Sequence, residues 1–154
     1  MPTPIVPSLW FTDHAEEAME FYCSVFPNSH IVSIERYPDE SLDPHYKGMS
    51  GKVITGVFVL DGTRFICLDG GPMFHFNEAI SLTVECADQA EIDHYWTSLS
   101  AVPESEQCGW LKDNYGLSWQ IVPANLGELM TDDAQIKALM GMKKIVIEDL
   151  INAG

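Results

Sequence analysis

The sequence predicts an α+β fold made of two copies of one βαβββ module, curled into a cupped mixed sheet and followed by a helical tail. The first observation behind this is an internal repeat. Ser8-Leu9-Trp10-Phe11, Asp13, Glu16 and Phe21-Tyr22 return as Ser81-Leu82-Thr83-Val84, Asp88, Glu91 and Tyr95-Trp96, at offsets of 73 to 75 residues. Self-similarity of this kind marks a duplicated architecture, and two copies suit a paired module better than a solenoid. The second observation is that each copy places a helix-capping signal between its strand patterns, and the third is a change of periodicity after Pro123. The chain is read as a single domain, 1–154, with module one at 1–70, module two at 77–124 and the tail at 125–154.

In module one, Asp13 and Glu16 have the spacing of a capping box, in which side chains satisfy the free N–H groups of a first helical turn. Ala15, Ala18, Met19, Tyr22, Val25 and Phe26 then recur at helical spacing, so one face of this helix is apolar. Pro27-Asn28 ends it, because proline cannot continue the hydrogen-bond ladder. A strand is expected from Ile31 to Tyr37. A hairpin follows from Val53 to Leu60 and from Phe65 to Leu68, turned at Asp61-Gly62, a pair suited to the left-handed backbone of a tight turn. Between strand and hairpin lies the polar stretch from Pro38 to Gly51, carrying His45, Tyr46 and Lys47. A connection of this length is either a lid or a mobile excursion.

Module two repeats the order in shorter pieces. A strand is expected from Ala79 to Cys86, then a helix capped by Asp88 and Glu91 with Ile92, Tyr95, Trp96 and Leu99 on its buried face. Strands from Gly109 to Lys112 and from Leu117 to Val122 meet at the turn Asp113-Asn114-Tyr115-Gly116, and the polar connection from Pro103 to Gln107 leaves the remaining strand weak. Asp69-Gly70-Gly71-Pro72 reads as the linker between modules. In the tail, Ile136, Leu139 and Met140 share a helical face, and a last apolar segment runs from Ile145 to Ile151. It is expected to pack on the outside of the domain or on a partner.

Composition narrows the function. With 46% apolar residues, seven Phe, five Tyr and four Trp, 154 residues are enough to fill a core. Eight Lys and Arg against a net charge of −15 argue against nucleic acid, whose phosphates need cationic partners, and against an anionic membrane surface. No apolar run reaches the roughly 20 residues of a membrane-spanning helix, and Met1-Pro2-Thr3-Pro4 lacks the basic start of a signal peptide. A cytoplasmic location is the expectation. Cys23, Cys67, Cys86 and Cys108 form no C-x-x-C pair, so reduced thiols are expected and not a zinc knuckle or a disulfide framework.

A βαβββ unit has a helix for only one face of its sheet. The other face, if two units curl together, becomes a hollow of the kind in which ligand sites are usually found.

The chain resembles the glyoxalase, or vicinal oxygen chelate, superfamily, and within it the PhnB-like branch. The stretches that carry the resemblance are Leu9-Trp10-Phe11, Ala15-Glu16-Glu17-Ala18-Met19, Phe21-Tyr22, Phe26-Pro27-Asn28-Ser29, Leu60-Asp61-Gly62, Gly70-Gly71-Pro72, Phe76-Asn77-Glu78-Ala79-Ile80-Ser81, Cys108-Gly109-Trp110-Leu111-Lys112-Asp113, Gly116 and Ser118-Trp119-Gln120-Ile121-Val122-Pro123. The resemblance implies the fold shared by glyoxalases, bleomycin-resistance proteins and dihydroxybiphenyl dioxygenases, and a homodimer. Members of the branch often carry the label of a 3-demethylubiquinone methyltransferase domain. A methyltransferase using S-adenosylmethionine would usually show a glycine-rich turn between a strand and a helix. Here Gly70-Gly71 leads into Pro72 instead.

The superfamily further implies a divalent metal held by His, Glu or Gln from the first and last strands of each module, acting as a Lewis acid on two vicinal substrate oxygens. The four positions fall near Val6 or Pro7, Cys67, Ala79 and Gln120. Aliphatic side chains offer no lone pair to a hard or borderline ion, so only Gln120 resembles a ligand of the superfamily, and no metal or other cofactor is expected.

The resulting expectation is a metal-free small-molecule-binding protein, with Trp10, Phe11, Phe74, Trp110, Trp119 and Gln120 at or near the pocket. Neighbours on a strand point to opposite faces, so of Trp119 and Gln120 only one lines a cavity, and Gln120 is the inward one. The alternative is an enzyme of the superfamily: a metal-dependent lyase, a dioxygenase or a resistance protein, or a metal-free enzyme using His45 or His75 for acid–base chemistry. His14 and His94 are read as solvent-facing, Cys108 as an ordinary thiol with Lys112 the only cation near it in sequence, and Asn77 and Glu78 as a tie at the joint between modules.

Overall fold

The computed structural model describes residues 3–154. Met1 and Pro2, on which part of the reading of the chain's start rests, lie outside the described residues. Two compact units divide the chain, residues 1–75 and 76–154.

The first unit has the expected βαβββ order: β1 (Ser8–Phe11), α1 (Ala15–Val25), β2 (His30–Arg36), β3 (Val53–Leu60) and β4 (Thr63–Asp69). The sheet runs β1-β4-β3-β2, with β1 parallel to β4 and the remaining pairs antiparallel. At the β3–β4 turn Asp61 and Gly62 both take positive φ, 45° and 91°, the backbone of a two-residue hairpin loop. Helix α1 buries Ala15, Ala18, Met19, Tyr22 and Val25 against one face of the sheet. Gly56 sets how closely it approaches, since a Cβ there would lie 2.7 Å from the Met19 methyl and 2.8 Å from the Cys67 sulfur. Tyr22, Phe58 and Phe65 stack in the space that remains.

The start of α1 departs from the capping box expected of Asp13 and Glu16. Its N-cap is His14, with no side-chain capping bond. The acceptor is instead Asp69, which ends β4 and is not part of a linker: its Oδ1 takes the N–H of Ala15 at 2.9 Å, and its Oδ2 takes that of Val53 at 3.0 Å. With the turn already satisfied from below, Glu16 is released to form a two-pronged pair with Arg36 on β2, at 2.9 and 3.0 Å, and the guanidinium holds its carboxyl below the usual range. The stretch after β2 contains two short 3₁₀ turns, Glu40–Leu42 and Pro44–Tyr46, capped by the carboxylates of Asp39 and Asp43.

The second unit contains β5 (Ser81–Cys86), α2 (Gln89–Leu99), β6 (Trp110–Lys112) and β7 (Ser118–Pro123), in a sheet ordered β5-β7-β6. Strands β5 and β7 run parallel, while β6 and β7 are antiparallel. Here the capping pair forms as expected: Asp88 accepts from the N–H of Glu91, and Glu91 accepts from that of Ala87. Ile92, Tyr95 and Leu99 are buried, and Trp96 is half-buried. The fourth strand of this module is missing among the described residues, so its order is βαββ. Pro103 cannot donate to a ladder, and its neighbours form a 3₁₀ turn, Pro103–Ser105, with a single bridge between Gln107 and Trp110.

The tail belongs to this second unit. It forms α3 (Asp133–Met140) and α4 (Ile147–Ala153). Ile145 and Leu150 are fully buried, and together with Val122, Leu129 and Leu139 they make a core of their own. The helical face expected from Ile136, Leu139 and Met140 is only partly used, because Leu139 and Gln135 turn inward while Ile136 and Met140 stay exposed. The amide of Gln89 on α2 bonds both the carbonyl of Ile145 and the N–H of Ile147, which stitches α4 to the body of the unit. No helix among the described residues is long and apolar enough to cross a membrane.

Candidate functional site

Each sheet has one face under a helix and one face without. In the second unit the register sorts the side chains. Trp110, Gln120 and Thr83 are cross-strand neighbours, and so are Lys112, Ser118 and Ser81. These residues share the face away from α2, since alternate residues of a strand point to opposite sides. Leu82, Leu111, Trp119 and Ile121 occupy the other face.

Trp119 is therefore core. It is 3% exposed, and its indole N–H donates to Asp113 Oδ2 at 2.9 Å. The other oxygen of Asp113 takes the N–H groups of Tyr115 and Leu117, so one buried carboxylate shapes the β6–β7 turn and seats the tryptophan. Gln120 and Trp110 are half-buried on the open face. The Gln120 side-chain amide donates to the Ser81 hydroxyl at 2.9 Å, and Lys112 pairs with Glu78 at 2.7 Å. The lysine holds the Glu78 carboxyl below its ordinary range. A side chain such as Ser81 or Thr83 has no signal of its own in the sequence; only the parallel register of β5 with β7 brings it beside Gln120.

In the first unit Leu9 and Phe11 are buried, and Trp10 between them is half-buried on the opposite side of β1. Phe11 is 3% exposed and belongs to the core. Trp10 meets Phe74 edge-on, with ring centroids 4.8 Å apart, and its indole N–H donates to the Gly71 carbonyl. The ring lies directly over Gly70, where a Cβ would come within 2.2 Å of Trp10 Cε2. The eight residues singled out in the sequence thus separate into two pairs, Trp10 with Phe74 and Trp110 with Gln120, two core residues, Phe11 and Trp119, and two exposed histidines. His45 stands 93% exposed and bonds the Asp43 carboxylate, and His75 is likewise exposed.

The positions where the superfamily places metal ligands have a different character. Pro7 uses its carbonyl to receive the N–H of Ile66. Cys67 is fully buried under α1, where desolvation, reinforced by the nearby charge of Asp69, pushes its thiol up to about 12. Its strand neighbours Ile66 and Leu68 are aliphatic. Ala79 is exposed, and its N–H donates to Asn77 Oδ1. No three His, Cys, Asp or Glu side chains among the described residues stand close enough to share an ion. Of the four expected positions, Gln120 alone carries a side chain of the type the superfamily uses.

Residues 3–122 match the model of the 3-demethylubiquinone-9 3-methyltransferase family. The chain is similar to the PhnB protein of Bacillus cereus, with 38% identity and a TM-score of 0.64 over 78% of this chain and 99% of that one. It also shares the fold of a Pseudomonas aeruginosa protein at 17% identity and a TM-score of 0.62, over 79% of this chain and 98% of that one. No curated protein matches the chain. The chain belongs to the PhnB-like, 3-demethylubiquinone-9 3-methyltransferase family and has its glyoxalase-type, vicinal oxygen chelate fold.

Proposed function

We propose that the protein is a cytoplasmic homodimer that binds a small aromatic molecule without the divalent ion of its superfamily. The observation that carries this reading is the state of Gln120, the one of the four expected ligand positions whose side chain resembles a ligand of the superfamily. Its amide nitrogen is committed to Ser81, which orients the group and leaves the carbonyl oxygen to accept from an N–H or O–H of a ligand. Trp110, its cross-strand neighbour, offers an apolar ring on which a flat molecule stacks. Methyl transfer is not part of this reading, because the one pair of consecutive glycines, Gly70-Gly71, lies under Trp10 and opens onto no helix. Dimerisation is supported by apolar side chains left in solvent, with Met73 75%, Phe74 57% and Ile80 70% exposed.

A thermal-shift screen with aromatic ligands tests the reading. A ligand of this site raises the melting temperature in proportion to the logarithm of its concentration once the site is saturated. Trp110→Ala and Gln120→Ala each weaken its binding by about tenfold or more. A ligand that both variants bind as tightly as the parent overturns the site, and a screen in which no aromatic ligand shifts the melting temperature overturns the function.

A further inference from the structure

Beyond residue 122, where the family match ends, the tail brings one side chain into a groove that the family portion begins. The groove has a volume of about 440 Å³ and is lined by Ser105, Gln107, Cys108, Trp110 and Met140. Within it the Cys108 sulfur lies 4.0 Å from the Met140 sulfur. Backbone bonds fix the spacing from both sides: the N–H groups of Cys108 and Gly109 donate to the carbonyls of Met142 and Lys143 at 2.7 and 2.8 Å. The Gln107 amide ties the same corner, 2.7 Å from the Met140 carbonyl and 3.2 Å from the thiol.

Met140 is 61% exposed, so its thioether does not serve as core filling. An ion about 2.3 Å from each sulfur, the usual metal–sulfur distance, subtends an angle of about 120° when the sulfurs are 4.0 Å apart. That angle suits three-coordination, with two places held by the protein's sulfurs and the third left to a donor from solution. Thiolate and thioether are soft donors that favour copper(I), and no carboxylate lines the groove to attract a hard ion. Charge selects further. One thiolate neutralises one monovalent cation, so the ion enters an apolar groove with no net charge, whereas a divalent ion would leave one uncompensated. The indole of Trp110 adds a π-face to the same wall.

We propose that Cys108 and Met140 form a binding site for a single soft monovalent metal ion of the copper(I) or silver(I) class. On binding, the Cys108 S–H bond breaks, its proton passes to solvent, and sulfur–metal bonds form from Cys108 and Met140 with no change of oxidation state.

The test is an anaerobic titration of the reduced full-length protein with copper(I) in competition with the chromophoric chelator bicinchoninate. The parent chain withdraws one copper(I) per chain. Cys108→Ser loses this capacity, and Met140→Leu, a swap of similar volume at an exposed position, weakens it by about tenfold or more while leaving the circular dichroism unchanged. Cys23→Ser binds as the parent does. Three results overturn the proposal: a parent chain that takes no copper from the chelator, a Met140→Leu variant that binds equally well, or a Cys108→Ser variant that still retains the ion.

Discussion

Replacing Asp69 by alanine lowers the stability of the chain by about 3–5 kcal/mol, because two backbone donors lose their acceptor in one step. Asp69 is 3% exposed, and its two oxygens divide between the N–H of Ala15, at the start of α1, and the N–H of Val53, at the start of β3. Its own carbonyl receives the hydroxyl of Tyr37, whose titration is pushed up first by burial and then by the charge of Asp69, so the phenol remains a donor. One residue therefore fastens a helix, a hairpin strand and the stretch after β2. Asp69→Asn, which keeps one acceptor oxygen and places an amide NH₂ against the other donor, loses about half as much. Urea denaturation of the two variants checks this. Equal stability of Asp69→Ala and the parent would contradict the bracket.

Removing Ile145 to Gly154 has the second large effect, and it falls on the second unit. Ile145 and Leu150 have no exposed surface, and the Ile145 side chain closes over Gly109, where a Cβ would lie 2.8 Å from its Cδ1. Leu150→Ala alone costs about 2–5 kcal/mol, from lost burial plus the cavity left behind. The truncated chain loses that contribution, the contribution of Ile145 and both bonds from Gln89. It unfolds at a markedly lower urea concentration than the parent, or fails to fold cooperatively. An unchanged urea midpoint would show that α4 is an ornament, and sedimentation of the same truncated protein reads whether the tail also supports the dimer.

Much of the fold is legible in the sequence because its signals are local. The Asp61-Gly62 turn, the stop at Pro27-Asn28 and the Asp88/Glu91 cap depend on residues within a few positions of each other, and all three form. The Asp13/Glu16 pair carries the same local signal and fails, because its competitor, Asp69, lies 54 residues away from Ala15 in sequence and next to it in space. The second module's missing strand follows from Pro103 and the polar residues after it, which can be read in advance as weakness but not as a 3₁₀ turn. Site residues divide by strand parity. Alternation places Trp119 and Gln120 on opposite faces of β7, and the same rule places Trp10 and Phe11 on opposite faces of β1. Ser81, Thr83 and Met140 join their groups only through register and through the tail, and pairings across 32 or more residues leave no short-range pattern.

We propose that this chain has the glyoxalase-type fold without the divalent metal seat of its superfamily. Elemental analysis of protein expressed in medium supplemented with zinc, manganese, iron and nickel, then dialysed exhaustively, tests it most directly. The expected result is far less than one divalent ion per chain, with the melting temperature unchanged by a chelator. One divalent ion per chain that survives dialysis, and whose removal lowers the melting temperature, would contradict it and return the protein to the metal-dependent enzymes of its superfamily.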